Sequence, residues 1–265
     1  MMLKDRLDSL RSIMAAEKKV KIADLSLRLG VTEETVRKDL ERLELEGLVT
    51  RTYGCAELKA EDMFDRLGYI YRSRNHVEEK KMIAEIAANI IPLYSTLAAD
   101  ASSTAMETLM LLKDREDLTV LTNSIPAIST LNQSKLNLMS TGGVNNRLSC
   151  SLQGIIARNT IMNYHVDFVL TSCKGLKRGE GIYDSREGET EIKQLMMSKG
   201  EKVILMADHH KFDRMSFVKY CGFEQVDILV TDRRPSDEWL EMFDEFRIQI
   251  FYPSLEVLKS ITENS

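Results

Sequence analysis

Four short runs hold the residues best suited to grip a polar ligand: Asp100-Ala101-Ser102-Ser103-Thr104, Thr122-Asn123-Ser124, Ser140-Thr141-Gly142-Gly143 and Thr171-Ser172-Cys173-Lys174-Gly175. Hydroxyls and backbone N–H groups at a helix start bind anions, because the first helix amides lack partners and the helix dipole favours negative charge there. One such run alone is ordinary turn and cap chemistry. Several in succession, each closing an apolar stretch, point to a ligand, and a phosphate fits. A second group is cationic. Arg37, Lys38, Arg42 and Arg51, with Thr32 and Thr35, lie within TEETVRKDLERLELEGLVTRTYG, residues 32–54. On a helix advancing about 100° per residue, Val36, Leu40 and Leu43 share one stripe, while Glu34, Thr35, Lys38 and Arg42 face roughly the other way. One face packs, and the other is free to meet DNA phosphates and base edges.

The elements that must position these groups follow from the pattern around them. Thr32 is a suitable N-cap and Gly47 a suitable stop, giving a helix of about four turns, long enough to cross a major groove. Leu48 to Tyr53 then turns β-branched and aromatic and ends at Gly54, as a hairpin strand does. Ahead of this helix, Lys21 to Leu29 predicts another, joined by the turn Gly30-Val31-Thr32. Leu3, Leu7, Leu10, Ile13 and Met14, within Leu3 to Ala16, supply a third helix for a free-standing helix-turn-helix core. Residues 57–76, with Phe64, Tyr69, Ile70 and Tyr71 on a polar background, read as a linker. From Val77 a helix begins with Met82, Ile83, Ile86, Ala87, Ile90 and Ile91 on one side, and Pro92 closes it.

Beyond Pro92, short apolar runs alternate with helical patterns. The runs are Thr96 to Asp100, Leu118 to Thr122, Leu136 to Thr141, Val166 to Thr171, Lys202 to Asp208, Ile228 to Asp232 and Arg247 to Tyr252. Helical periodicity falls between them, near 104–113, 125–133, 152–163, 186–199 and 236–244. This spacing predicts βαβ units, a mainly parallel sheet and helices on both faces, with ligands at the carboxyl ends of the strands. The fold class is therefore α/β: a small N-terminal α-helical winged helix-turn-helix domain (1–56), a linker (57–76) and a mainly parallel α/β domain (77–265).

A chain of 265 residues with 43% apolar content can build packed cores for two such domains. No apolar run approaches the roughly 20 residues of a membrane-spanning helix, and the first residues lack a signal-peptide hydrophobic stretch, so a cytoplasmic protein is expected. Cys55, Cys150, Cys173 and Cys221 lie far apart without metal-ligand spacing, and read as reduced and structural. The net charge is −5. Residues 1–60 carry 12 Lys and Arg against 11 Asp and Glu, a net +1, which leaves −6 for the rest. A local cluster of Arg37, Lys38, Arg42 and Arg51 can hold DNA phosphates while the acidic remainder does other work.

The run Gly30-Val31-Thr32-x-x-Thr35-Val36-Arg37-Lys38-Asp39-Leu40, followed by Leu43, Gly47, Leu48, Arg51 and Gly54, resembles the DNA-binding domain of DeoR-family bacterial transcriptional regulators. The family pattern has Ser in place of Thr32, a second Arg in place of Lys38 and His-Gly-Gly in place of Tyr53-Gly54-Cys55. The resemblance extends through Asp100-x-Ser-Ser-Thr104, Thr122-Asn123-Ser124, Gly142-Gly143, Gly154, Asp167, Glu191-Ile192-Lys193, Asp208-x-x-Lys211-Phe212 and Thr231-Asp232 to a DeoR-type sensor domain, similar in fold to ribose-5-phosphate isomerase. Here Ser102-Ser103-Thr104 replaces Gly-Thr-Thr, Tyr94-Ser95 replaces an Asp-Gly turn, and Lys174 replaces a small residue and adds a cation.

The resemblance implies a regulator, specifically a repressor of a sugar-catabolism operon, that binds a double-stranded DNA operator as a homodimer or homotetramer and answers to a phosphorylated sugar. On this reading Thr32, Thr35, Arg37, Lys38, Arg42 and Arg51 meet the DNA. Ser102, Ser103, Thr104 and Lys211 hold the phosphate, and Asp100, Asn123, Gly142, Gly143 and Lys174 line the rest of the site. The competing reading is a phosphosugar isomerase with an accessory DNA-binding domain. It needs a carboxylate base beside polarising groups, for which Asp184, Glu187 and Lys174 are candidates, but the catalytic loops of such isomerases are not recognisable. No catalytic residue, cofactor or metal is expected. His209-His210 is not read as a metal pair, since neighbours at a strand end diverge and no third ligand stands near in sequence.

Overall fold

The computed structural model describes residues 6, 7, 9, 10, 13, 14, 17, 19–45, 49–58 and 68–253. Leu3, Ala16, Gly47, Leu48 and Phe64, and with them the expected helix stop, lie outside these. The chain forms two compact units, Met1–Asn75 and His76–Ser265.

In the first unit, α1 is helical at Arg6, Leu7, Ser9, Leu10, Ile13, Met14 and Glu17. Then come β1 (Lys19–Lys21), α2 (Ile22–Leu29), α3 (Glu33–Leu45), β2 (Val49–Thr52), β3 (Cys55–Leu58) and α4 (Gly68–Arg74). Leu10, Met14, Ile22, Leu25, Val36, Leu40 and Leu43 bury together with Val20, Val49 and Ala56. Each such aliphatic side chain contributes roughly 1.5–3 kcal/mol relative to exposure. Gly30 ends α2 at φ 63°, and Val31 N–H reaches back 3.2 Å to Ser26 O. That left-handed backbone is strained for any residue with a Cβ, so glycine sets the turn into α3. The wing is a hairpin of β2 and β3 extended by β1, in the order β1-β3-β2. β1 was not foreseen: Lys21, expected as the start of α2, is instead the last strand residue and N-cap. The segment expected as linker holds Glu57 in β3 and all of α4.

The second unit opens with α5 (Val77–Ile90) and continues with β4 (Thr96–Ala99), α6 (Ser103–Leu112), β5 (Thr119–Thr122), α7 (Ile125–Thr130) and β6 (Asn137–Ser140). After these come β7 (Val144–Asn146), β8 (Ser151–Gln153), α8 (Ile155–Met162), β9 (Val166–Ser172), β10 (Gly175–Lys177), β11 (Gly181–Asp184) and α9 (Glu187–Met197). The rest is β12 (Gly200–Met206), a 3-10 turn His209–Lys211, β13 (Val218–Cys221), β14 (Ile228–Val230), α10 (Asp237–Glu245) and β15 (Gln249–Phe251). Seven strands make one sheet in the order β15-β14-β12-β9-β4-β5-β6, and every neighbouring pair is parallel. These are the seven apolar runs of the sequence.

Alternation along the strands divides the core. Leu97, Ala99, Val120, Leu170 and Ile204 pack with α5, α6 and α7, whereas Ala98, Leu121, Val169, Val203 and Leu205 pack with α8, α9 and α10. Chain direction across the sheet reverses between β4 and β9, with β5 and β6 on one side and β12, β14 and β15 on the other. Open parallel sheets of this kind leave a crevice for ligands at the carboxyl ends of the strands where the order switches. Two smaller antiparallel pieces, β10-β11-β13 and β7-β8, complete the unit.

Candidate DNA-reading helix and effector site

α3 presents the DNA candidates as the stripe requires. Val36, Leu40 and Leu43 are fully buried, while Thr32, Arg37, Lys38, Arg42 and Arg51 are exposed and Thr35 half-buried. Thr32 Oγ1 accepts the Thr35 amide at 3.3 Å and lies 2.9 Å from Thr35 Oγ1, so both threonines serve the cap. Asp39, buried beneath the helix, is held by the guanidinium of Arg6 from α1. Arg37 lies 2.7 Å from Glu33, and Lys38 4.0 Å from Glu34. Exposed pairs of this kind are worth about 0–1 kcal/mol, so exchanging them for DNA phosphates costs little. Arg51 is engaged differently. Its backbone N–H and Nε both reach the Glu44 carboxylate, at 3.1 and 2.6 Å, tying the wing to α3. Tyr53, at the hairpin tip, is fully exposed.

In the second unit every effector candidate stands just beyond the carboxyl end of a parallel strand. Asp100 follows β4, Asn123 follows β5, Gly142 and Gly143 follow β6, Lys174 follows β9 and Lys211 follows β12. The structure joins some of them. Asp100 Oδ1 accepts the Ser102 amide at 2.9 Å, and its Oδ2 accepts Thr171 Oγ1 at 3.0 Å and the Ser172 amide at 3.1 Å. Lys211 Nζ donates to Ser172 Oγ at 2.9 Å and lies 3.4 Å from Asp208. Asp100, Ser102 and Lys211 therefore meet around Ser172, at the switch between β4 and β9. Ser102 Oγ caps α6 by accepting the Ala105 amide at 3.1 Å. Ser103 and Thr104, in its first turn, are 5% and 1% exposed.

Asn123 and Gly143 stand against β8, and Gly142 against Ile156 of α8. Asn123 Nδ2 donates to Leu152 O at 3.1 Å, which fixes the orientation of the amide. Its Oδ1 is buried and accepts from no donor among the described residues. Buried polar atoms are nearly always paired, so this oxygen is an exception in the unit. Gly143 has a packing reason: a Cβ there would stand 2.5 Å from Gln153 O.

Sequence reasoning carried Lys193, which stands between Asp100, Ser172 and Asp184, only as part of the family pattern and gave it no role. Lys193 of α9 is buried, donates to Ser172 O at 2.6 Å, pairs with Asp184 and lies 3.3 Å from Asp100. Burial alone pulls its ammonium toward the neutral form, but the carboxylates of Asp184, Asp100 and Glu189 outweigh it and the pKa stands raised. Burial likewise pushes against the charge of Asp184, and Lys193 and Lys174 overcome it to hold that carboxyl below its usual range. The signal was present as a lysine at helical spacing from Glu189, Met196 and Met197 on the buried face of α9. A carboxylate neutralised in this way is a weak base, and Glu187, the other isomerase candidate, is exposed. Burial also pushes the Cys173 thiol up to about 12, leaving it protonated and unreactive.

Comparison with known proteins decides between the two readings. Residues 6–62 match the family model described as a DeoR-like helix-turn-helix domain, and residues 75–233 match the DeoR C terminal sensor domain. The chain belongs to the DeoR family. It is 34% identical over 233 residues to YulB, an uncharacterized HTH-type transcriptional regulator of Bacillus subtilis, covering 88% of this chain and 90% of that one. It is 28% identical over 247 residues to the HTH-type transcriptional repressor GlcR of Bacillus subtilis, covering 93% and 95% of the two chains. A fainter likeness links it to ribose 5-phosphate isomerase A from Methanocaldococcus jannaschii: TM-score 0.40, 12% identity, 52% of this chain and 55% of that one. That likeness is too slight to carry an argument about function. This DeoR-family chain is a DNA-binding transcriptional regulator with a sensor domain, and not an enzyme. Among the described residues no helix is long and apolar enough to cross a membrane.

Proposed function

We propose that this regulator is a repressor of a sugar-catabolism operon, that its effector is a phosphorylated sugar seated at the switch of the parallel sheet, and that it binds its operator as a homodimer or homotetramer. The observation that carries the effector assignment is the ring of groups around Ser172: Lys211 at 2.9 Å, Asp100 at 3.1 Å, and through Asp100 the capped start of α6. In this reading the phosphate lies against the first turn of α6 and Lys211, where the dipole and charge-assisted hydrogen bonds favour a dianion. Asp100 and the unpaired Asn123 Oδ1 accept hydroxyls of the sugar, and Lys174 adds a cation beside Asp184. A neutral sugar would leave the phosphate donors unmatched, so discrimination against it is strong. Thr32, Thr35, Arg37, Lys38 and Arg42 face the operator, with Arg51 bracing the wing.

The test is a thermal-shift screen of phosphorylated sugars beside their free forms, followed by calorimetry on the ligand found. A ligand at about a hundred times its Kd raises stability by about 2.7 kcal/mol, and only phosphorylated forms are expected to do so. Ser103→Ala combined with Lys211→Ala should weaken the ligand by at least about tenfold. If the double variant binds as tightly as the parent, the phosphate sits elsewhere.

A further inference from the structure

The second unit holds a cluster that neither the DNA nor the effector reading uses. His76, Glu79 and His210 bring one ligand atom each to within 4.8 Å of one another. Glu79 Oε1 stands 3.7 Å from His210 Nε2 and 3.9 Å from His76 Nδ1. The rings of His76 and His210 lie with centroids 4.1 Å apart, tilted 38° to each other. We propose that these three side chains form a binding site for a borderline divalent cation of the Zn2+ class.

Each part of the geometry serves that end. His76 occupies the N-cap of α5 at φ 51° and makes no capping hydrogen bond, so its ring is not spent on the helix. Glu79, one turn on, points to the same side, as residues three apart on a helix do. His210 comes from the 3-10 turn after β12, and its ring is held from behind: it packs 3.7 Å from the ring of His209, whose Nδ1 lies 2.6 Å from Asp232. The His210 amide donates to Asp208 Oδ1 at 3.1 Å, fixing the turn. The sequence reading sets the adjacent histidines aside because neighbours at a strand end diverge and no third ligand stands near in sequence. Their rings instead pack 3.7 Å apart, and the side chains that meet His210 come from more than a hundred positions earlier.

Two imidazoles and one carboxylate select a borderline metal over Mg2+ or Ca2+, which prefer all-oxygen shells. With bonds of about 2.0–2.2 Å, donors around a tetrahedral ion stand about 3.3–3.6 Å apart, so the two distances to Glu79 need close by only a few tenths of an ångström. The side chains are 44%, 23% and 38% exposed, which leaves water to complete the coordination. Charges nearby are balanced: Glu79 and Asp208 oppose Lys80 and Lys211, and Lys211 is itself paired to Asp208.

The experiment is titration of the full-length, metal-free protein with Co2+ as the spectroscopic probe. The expected result is one equivalent bound per chain, with visible ligand-field bands of a nitrogen and oxygen shell. His76→Gln and His210→Gln should each lower the affinity by at least about tenfold, and His165→Gln, at a separate surface histidine, should leave it unchanged. Absence of these bands in the parent protein, an intense thiolate charge-transfer band, or equal affinity in both histidine variants would overturn the proposal.

Discussion

The ammonium of Lys193 ties together three of the groups beneath the sensor crevice. It pairs with Asp184, lies 3.3 Å from Asp100 and donates to Ser172 O, so Ser172 can present its amide to Asp100 and its hydroxyl to Lys211. Removing one partner from a buried ion cluster strands the others, typically at about 3–5 kcal/mol. Lys193→Met should lower the unfolding free energy by about that much in urea, and Asp184→Asn added to it should recover part of the loss. A loss under about 1 kcal/mol would show that the cluster is not held this way. The sequence displayed the hydroxyl and amide residues of the site because they end strands. Lys193 stood in the family pattern without a role, because its partners Asp100, Ser172 and Asp184 come from three other segments, and a lysine among Ile192, Met196 and Met197 reads by itself as a solvated edge.

At the scale of elements, α3 separates what packs from what reads. Val36, Leu40 and Leu43 are wholly buried and Arg37, Lys38 and Arg42 exposed, as helical spacing required. Arg37→Ala should weaken operator binding by about 1–3 kcal/mol and relax preference at one base pair if the guanidinium reads a base; a phosphate contact would give a smaller, sequence-independent loss with a salt dependence shallower by about one. A gel-shift titration that shows no change would remove Arg37 from the interface. The seven sheet strands were legible because burial on both faces makes them continuous apolar runs. β1, β7, β8, β10, β11 and β13 were not. They are three or four residues long, and pairing at a distance, such as Lys19 with Glu57, defines them more than composition does. Arg51 shows the same limit: as a sequence it is one more cation, and only the fold brings Glu44 against it.

For the whole molecule, the two jobs are divided between the two units, and charge follows the division, near neutral at the DNA-reading end and acidic beyond it. Winged helix-turn-helix readers gain affinity by binding paired half-sites about one helical turn, or multiples of it, apart. A second copy of the +1 end doubles the phosphate contacts available to an acidic chain. Light scattering at micromolar concentration should therefore give a particle of at least twice the 30.2 kDa chain. A 30.2 kDa particle would contradict the paired mode. A single chain's pattern of buried and exposed residues carries no direct record of such a partner, so the dimer or tetramer is expected from the half-site geometry and the family resemblance.

Regulation requires that the effector bind the DNA-competent and DNA-released states unequally, for otherwise it could bind tightly and change nothing. The most direct measurement is operator affinity, read by fluorescence anisotropy on labelled duplex, with and without a saturating phosphorylated sugar from the screen. A shift of about 5–150-fold is expected, corresponding to coupling of about 1–3 kcal/mol. The unphosphorylated sugar should give none. The Ser103→Ala, Lys211→Ala double variant should bind the operator as the parent does and fail to respond. An equal response to the free sugar, or a full response in the double variant, would contradict a phosphate seated at the start of α6.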